Sequence, residues 1–335
     1  MVVKNPLVSV IIPTYKRPEY LSRAVESALA SMVHGELEVI VIPNGGDSSW
    51  KSSLRKWKEN PFVKIYESSP PNPNIARNLG LKLAKGQLIR FLDDDDYLIP
   101  EIARKQYLEL LSSEYDLSIY GARTETADRT IHGVFHAPLE EDYGAMVLRE
   151  KFLALPFTTV YKRACLADVF WNEELRIPED EEWMRKIVAT REIRHTSSKE
   201  IVGVWFQHDL SRLSMPLPND NYFRNKATSI LETCEALKTA GRLTSHRKKA
   251  AAKGLWGAAH GGFYFSPVHW TKVAIIAKKY DPQSYPDDPL FRVLKFISPL
   301  AIEWIMLPKR WGNYLSRRLL LNLASRRKVV RKAPG

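Results

Sequence analysis

Cysteine is scarce: Cys165 and Cys234 are the only two among 335 residues, far apart and in no metal-like spacing. That scarcity excludes a disulfide-built secreted scaffold and fits ordinary thiols in a reducing compartment. Long apolar runs are missing too, since no stretch approaches the roughly 20 residues that span a bilayer. The opening Met1-Val2-Val3-Lys4-Asn5-Pro6 has no basic start, apolar middle or small-residue cleavage site, so the chain is expected to be cytoplasmic. Acids are outnumbered, 38 against 50 bases, for a formal net charge of +12. From Arg292 onward eleven bases face the single acid Glu303, which accounts for +10 of that excess. The body is therefore close to neutral and has no aromatic-basic sheet motif, which argues against a nucleic-acid partner.

What is present reads as an α/β protein. Hydrophobic residues make up 44% of the chain, enough for a packed core. Val8–Ile12, Leu37–Ile42, Val63–Tyr66 and Leu88–Leu92 are short apolar or β-branched runs that suit buried strands. Between them, helical spacing begins at Leu21, and a second helix is expected over Ile75–Lys85, closed by Gly86. This alternation predicts a mainly parallel sheet flanked by helices. A helix near Glu101–Leu111 and strands near Leu117–Tyr120, Val160–Arg163 and Ile201–Trp205 follow, with a polar, unpatterned stretch up to about Ala145. Beyond about Asn219 the chain reads as helical. The expected division is a domain over 1–218, with a nucleotide-binding half over 1–100 and an acceptor half over 101–218, then a helical C-terminal region over 219–335.

In open parallel sheets ligands bind beyond the carboxyl ends of the strands. Pro13-Thr14-Tyr15, Asn44-Gly45-Gly46-Asp47 and Asp93-Asp94-Asp95-Asp96 all fall there. Four consecutive carboxylates repel one another, and something positive must offset that. A magnesium or manganese ion with a bound diphosphate fits the need; a solvated acidic turn, with Asp95 or Asp96 capping the next helix, is the alternative.

Val8-Ser9-Val10-Ile11-Ile12-Pro13-Thr14-Tyr15, Ala76-Arg77-Asn78-Leu79-Gly80 and Phe91-Leu92-Asp93-Asp94-Asp95-Asp96-Tyr97-Leu98 with Pro100, in this order, resemble the nucleotide-binding half of a family 2 glycosyltransferase. The likeness covers about residues 7–215 and implies the GT-A fold, a nucleotide-sugar donor and inversion at the anomeric carbon. It also implies that Pro13, Thr14, Tyr15 and Arg77 serve the donor, that Asp93 and Asp94 face its ribose and sugar side, and that Asp95 holds Mg2+ or Mn2+. The family's usual acid pair after the second strand is Pro43-Asn44 in this chain. An Asn carbonyl accepts from the imide N–H of uracil or thymine, whereas a carboxylate better suits guanine, so a UDP or dTDP donor is favoured.

Two further stretches gain meaning from the same resemblance. Pro178-Glu179-Asp180-Glu181-Glu182-Trp183-Met184-Arg185 places acids in a first helical turn, which the macrodipole alone would favour. The family carries its general base in such a motif, which implies Asp180 as base, Glu179 in support and Arg185 as a structural or phosphate-side partner. His208, in Phe206-Gln207-His208 with Ser211 and Ser214 beyond, is by itself an ordinary surface or satisfied histidine. The family often has a His in a loop over the diphosphate, which implies that His208 joins Asp95 at the metal and that Arg212 touches phosphate.

The expected reaction is a single displacement onto a hydroxyl of a saccharide or lipid-linked saccharide, in cell-surface polysaccharide or glycolipid synthesis. A sugar nucleotidyltransferase is the rival enzyme, but Pro13-Thr14-Tyr15 lacks its glycine-rich loop; a non-catalytic binding module is the rival outside enzymes. The tail, with Trp304, Trp311, Tyr314, Leu315, Leu319 and Leu323 beside Arg317, Arg318, Arg326 and Arg327, has two readings: a helix on an anionic membrane surface, or leucines packed on the domain with a frayed basic end.

Overall fold

The computed structural model describes residues 6–32, 35–149, 155–175, 177–208 and 219–330, with side chains described as far as 316. The elements run β1 (Val8–Thr14), α1 (Pro18–Ala30), β2 (Leu37–Pro43), α2 (Trp50–Ser53), β3 (Val63–Ile65), α3 (Pro73–Leu83), β4 (Leu88–Phe91), β5 (Tyr97–Leu98) and α4 (Pro100–Leu111). They continue with β6 (Leu117–Glu125), β7 (Ile131–Phe135), α5 (Tyr143–Leu148), β8 (Thr159–Lys162), α6 (Glu179–Thr190) and β9 (His195–Phe206). From there the described chain is helical: α7 (Asp220–Thr239), α8 (Ser245–Gly262), α9 (Pro267–Tyr280), α10 (Pro289–Val293) and α11 (Pro299–Val330).

Among the described residues one sheet runs in the order β3-β2-β1-β4-β8-β6-β9-β5, with β7 branching from β6. Its first four strands are parallel, as is β6 to β9, while β8, β5 and β7 pair antiparallel. Alternation along β1 builds two cores. Val8, Val10 and Ile12 pack with α1 and α4 on one face, and Ile11 packs with α3 on the other. That second face also carries α5, α6 and the buried sides of α7, α8 and α9, so the C-terminal helices share a core with the sheet. Both cysteines are buried and free, and burial pushes each thiol up to about 12, which leaves them inert.

Several local expectations need correction. α3 starts at Pro73, because the Asn72 side chain caps it by accepting from Asn74 N at 2.9 Å and Ile75 N at 3.4 Å. It stops at Leu83 with an extended Ala84, so Gly86 is no helix cap. Gly86 instead permits close approach to β1, since a Cβ there would lie 2.5 Å from Ser9 N. α4 has Ile99 at its N-cap and takes no cap from Asp95 or Asp96. Glu38 is a buried charge inside β2, held by Ser9 Oγ at 2.6 Å, Lys64 Nζ at 2.5 Å and Lys85 N at 2.7 Å. α11 runs through Pro308 without a break and packs on the domain through Ile302, Leu307 and the buried Glu303. Glu303 bonds His260 at 2.6 Å and Arg310 at 2.8 Å, which fixes the start of α11 against α8. Side chains beyond Ser316, including Leu319, Leu323, Arg317, Arg318, Arg326 and Arg327, lie outside the described residues.

Candidate active site

β1 and β4 are parallel neighbours, with Ile11 opposite Phe91, so the loops after them leave the sheet side by side. Tyr15 N donates to Asp94 Oδ2 at 3.2 Å. Arg17 Nη1 reaches Asp94 Oδ1 at 3.3 Å and Asp95 Oδ2 at 2.7 Å, while Arg23 Nη2 donates to the Asp95 carbonyl at 3.0 Å. Asp96 accepts from Phe206 N at 3.0 Å, tying the acidic turn to β9. The positive charge that four aspartates require is thus partly built into the chain, in Arg17 and Arg77. Arg17 escaped the sequence reading because the carboxylates it serves lie 77 and 78 positions away. Burial pushes the Asp94 carboxyl up to about 7; Arg17 works against that rise and Asp95 adds to it.

The second acidic group arrives through α3. Its Asn74 Nδ2 donates to the Asn172 and Leu175 carbonyls at 2.8 and 2.7 Å. Asn78 exchanges bonds with the Trp171 backbone at 3.0 and 2.8 Å. Those contacts hold the segment that leads into α6, whose first residues are Glu179 and Asp180. Between Asn74 and Asn78 stands Arg77, 5% exposed, with Nη2 on Asp93 Oδ1 at 3.0 Å and Nη1 at 3.9 Å from both Glu179 Oε1 and Asp180 Oδ1. Trp171 lies over the guanidinium at 4.5 Å and stacks on Trp183 at 4.6 Å, an aromatic floor beneath Asp180.

Pro13, Thr14, Tyr15, Asn44, Arg77, Asp93, Asp94, Asp95, Glu179 and Asp180 line one cleft of about 450 Å³. Arg17, Asn72, Pro156 and Trp205, which sequence reasoning did not single out, line it as well. Asp180 Oδ1 is buried with no hydrogen-bond partner, while 29% of the side chain faces the cleft. Burial raises the Asp180 carboxyl well above the usual range, Arg77 pulls it back, and Glu179 and Asp93 push it further up. Asn44 donates from Nδ2 to the Thr14 carbonyl at 2.9 Å, which uses one of the two amide N–H groups and fixes the orientation of the side chain. His208 Nε2 meets Asp95 Oδ2 at 2.8 Å, and its ring stacks on Tyr20 at 4.7 Å.

Arg185 does not reach this cleft. It is fully buried, bonds the Val147 carbonyl at 2.8 Å and Glu181 at 2.8 Å, and anchors α6 to its neighbours, the structural side of its expected role. Arg212 lies outside the described residues. A larger, shallower groove of about 680 Å³ at the opposite end of β4, between Lys82, Lys162 and Asp168, gathers no set of carboxylates. The cleft, by contrast, sits at the strand ends where an α/β sheet binds ligands.

Comparison with known proteins agrees with this architecture. Residues 9–172 match the model for glycosyl transferase family 2. The UDP-Glc:alpha-D-GlcNAc-diphosphoundecaprenol beta-1,3-glucosyltransferase WfaP of Escherichia coli is 34% identical over 142 residues, 42% of this chain and 55% of that protein. Chondroitin synthase of Pasteurella multocida is 39% identical over 110 residues, 31% of this chain and 11% of the synthase. The chain thus spans about half of WfaP and much less of the synthase. The solved structure of S. aureus TarS 1-349 in complex with UDP-GlcNAc shares the fold, with a TM-score of 0.61 over 82% of this chain and 80% of that one at 20% identity. Fold and cleft define a GT-A nucleotide-sugar transferase architecture. Residues 9–172, just under half of the chain, form a glycosyltransferase family 2 domain.

Proposed function

We propose that this protein transfers a sugar from UDP or dTDP to a hydroxyl of a saccharide or lipid-linked saccharide, with inversion, in the synthesis of a cell-surface glycan. The observation that carries this reading is that the acidic turn after β4 and the Asp180 carboxylate, paired with Arg77 but with Oδ1 not hydrogen-bonded, line one cleft. Asp180 accepts the proton of the acceptor hydroxyl as its oxygen attacks the anomeric carbon from the face opposite the diphosphate. Glu179 and Arg77 hold the charge balance at that base. Asp93 and Asp94 face the sugar and ribose, Pro13 to Tyr15 cradle the nucleotide, and Asn44 meets the imide of the base. The acceptor class draws on WfaP, whose acceptor is a sugar diphosphoundecaprenol.

The residues present fit a divalent cation. Asp95 Oδ2 and His208 Nε2 stand 2.8 Å apart, close to the about 3 Å between adjacent ligands of a six-coordinate ion with bonds of about 2.1 Å. Mg2+ or Mn2+ held there would complete its shell with phosphate oxygens; among the described residues no group of three or more His, Cys, Asp or Glu is placed to hold an ion by itself. When bound, the ion neutralises charge building on the departing diphosphate as a Lewis acid. Arg17, on the same Asp95 oxygen, adds a fixed positive charge beside it.

The same reading places the protein at the cytoplasmic face of a membrane. No helix among the described residues is long and apolar enough to cross one. Around α10 and α11, Val293, Phe296 and Ile305 are 73%, 90% and 69% exposed, with Lys295 and Lys309 among them, a pattern suited to an anionic surface. The deciding experiment for the transfer itself is release of nucleoside diphosphate from a panel of UDP-, dTDP- and GDP-sugars. A GDP-sugar as the preferred donor would overturn the base assignment, and inertness to all of them would overturn the function.

A further inference from the structure

The hairpin of β6 and β7 is the most apolar exposed feature beside the cleft. β8 begins at Thr159 and pairs with β6 only over Leu117–Ile119; past that point Ala122 to Glu125 pair with Phe135 back to Ile131. β7 therefore continues the lane that β8 leaves. The antiparallel pairs β4 with β8 and β8 with β6 make β4 and β6 run the same way, so this is the end at which β4 releases Asp93–Asp96. The hairpin projects past the sheet on the side of Leu155, Pro156 and Asp180, which line the same recess of the cleft.

An edge strand in water ordinarily carries charge or proline that discourages contact. β7 instead exposes Ile131, Val134 and Phe135 by about half, and Leu139 just beyond it is 71% exposed. Phe135 and Trp205 are 6.2 Å apart between ring centroids, and Trp205 lines the cleft. The Phe135 ring lies beside Gly133, where a Cβ would meet the ring at an ordinary 3.6 Å and Thr124 Oγ1 at a tight 3.2 Å. The result is an apolar track from the cleft wall at Trp205 over Phe135 to Ile131, about 13 Å of strand from Phe135 to Ile131 at the usual rise.

We propose that this hairpin is the platform for the apolar chain of a polyprenyl-diphosphate-linked acceptor, with the saccharide end at Asp180 and the first isoprene units along Trp205, Phe135 and Ile131. The inference rests on the transferase reading above and deepens it by assigning the acceptor's lipid portion. The aliphatic side chains farthest from the cleft offer no hydrogen bond to a sugar, which leaves hydrocarbon as the chemistry they recognise. Their continuity with the cleft favours the acceptor's own chain over bilayer lipid.

The test uses farnesyl diphosphate as probe, with UDP filling the donor site, in wild type and in the double variant Ile131→Ser, Phe135→Ser. Calorimetry is expected to give at least tenfold tighter binding of farnesyl diphosphate than of inorganic diphosphate. The double variant is expected to lose that difference while its affinity for UDP stays unchanged, which also reports an intact fold. Equal affinities for the two probes, or full retention of farnesyl diphosphate binding in the variant, would overturn the proposal. A variant that lost only vesicle binding would reassign the hairpin to the bilayer and overturn it equally. Because the readout is binding, failure to transfer sugar from any donor would sink the transferase reading without being mistaken for failure of the platform.

Discussion

The Arg77 guanidinium stands 3.9 Å from Asp180 Oδ1 while it hydrogen-bonds Asp93 Oδ1 at 3.0 Å, so one buried cation joins the acidic turn after β4 to the carboxylates that open α6. The ionisable groups around Asp180 are Arg77 from α3, Asp93 from the turn after β4, Glu179 and Glu181 from α6, and the Tyr161 phenol from β8, which burial keeps neutral. Arg77 alone among them favours the ionised form.

It follows that Arg77→Gln moves the acid limb of the rate profile. A base works only when ionised, and loss of the cation raises its pKa further, so kcat/KM should fall off at higher pH than in wild type. Arg77→Lys should restore part of the shift. A pH profile of kcat/KM for the three proteins decides this; coincident acid limbs would remove Arg77 from control of the base.

Removal of the cation should stop transfer. EDTA treatment and Asp95→Ala are each expected to abolish turnover, with circular dichroism unchanged and added Mn2+ or Mg2+ restoring activity only in the EDTA-treated wild type. Full turnover in EDTA would contradict a metal role for Asp95 and His208.

Glu38 allows a stability prediction independent of catalysis. Burial raises its pKa, but bonds from Lys64, Ser9 and the Lys85 backbone outweigh burial and leave the folded value lowered. The unfolded value is about 4.3, so the stabilisation is fully present above that pH and is lost as pH falls through the lower folded value. Glu38→Gln should cost about 1–3 kcal/mol at pH 7, because a charge-assisted network is broken. Urea unfolding at pH 7 and pH 3.5 should show the gap between variant and wild type narrowing in acid. A gap independent of pH would mean that shape, not charge, matters at this position.

Phe296 and Ile305 touch little of the domain and are expected to meet lipid. Serine at both positions should weaken pelleting with anionic vesicles several-fold without lowering the unfolding temperature. Each nearby base adds roughly 1 kcal/mol at low salt, so binding should also weaken as salt rises. Pelleting that is equal in variant and wild type would leave the patch without a lipid role. Point substitution is preferable to truncation at Asp288, which would strip Ile302, Glu303 and Leu307 from α8 and α9.

The central strands were legible because buried parallel strands are continuous apolar runs, as in Val8–Ile12 and Leu37–Ile42. The hairpin was not. Ile131-His132-Gly133-Val134-Phe135 is exposed on both faces and shows no alternation, and Tyr97-Leu98 is too short for any pattern. Motif residues could be named from order along the chain, and the cleft gathers ten of them. Their partners could not, because Arg17 meets Asp95 across 78 positions and Arg185 turns inward from a helix whose neighbours are set by tertiary packing. Asn72 and Pro73 did carry a readable start signal for α3, a capping residue followed by proline, that was placed two residues too late.

The most direct test of the account is Asp180→Asn, which keeps the shape of the side chain and removes its basicity. With donor affinity measured by calorimetry alongside turnover, the account predicts that transfer falls by roughly 10² or more while donor binding stays near wild type. Collapse of donor affinity with the same substitution, or turnover close to wild type, would contradict Asp180 as the general base.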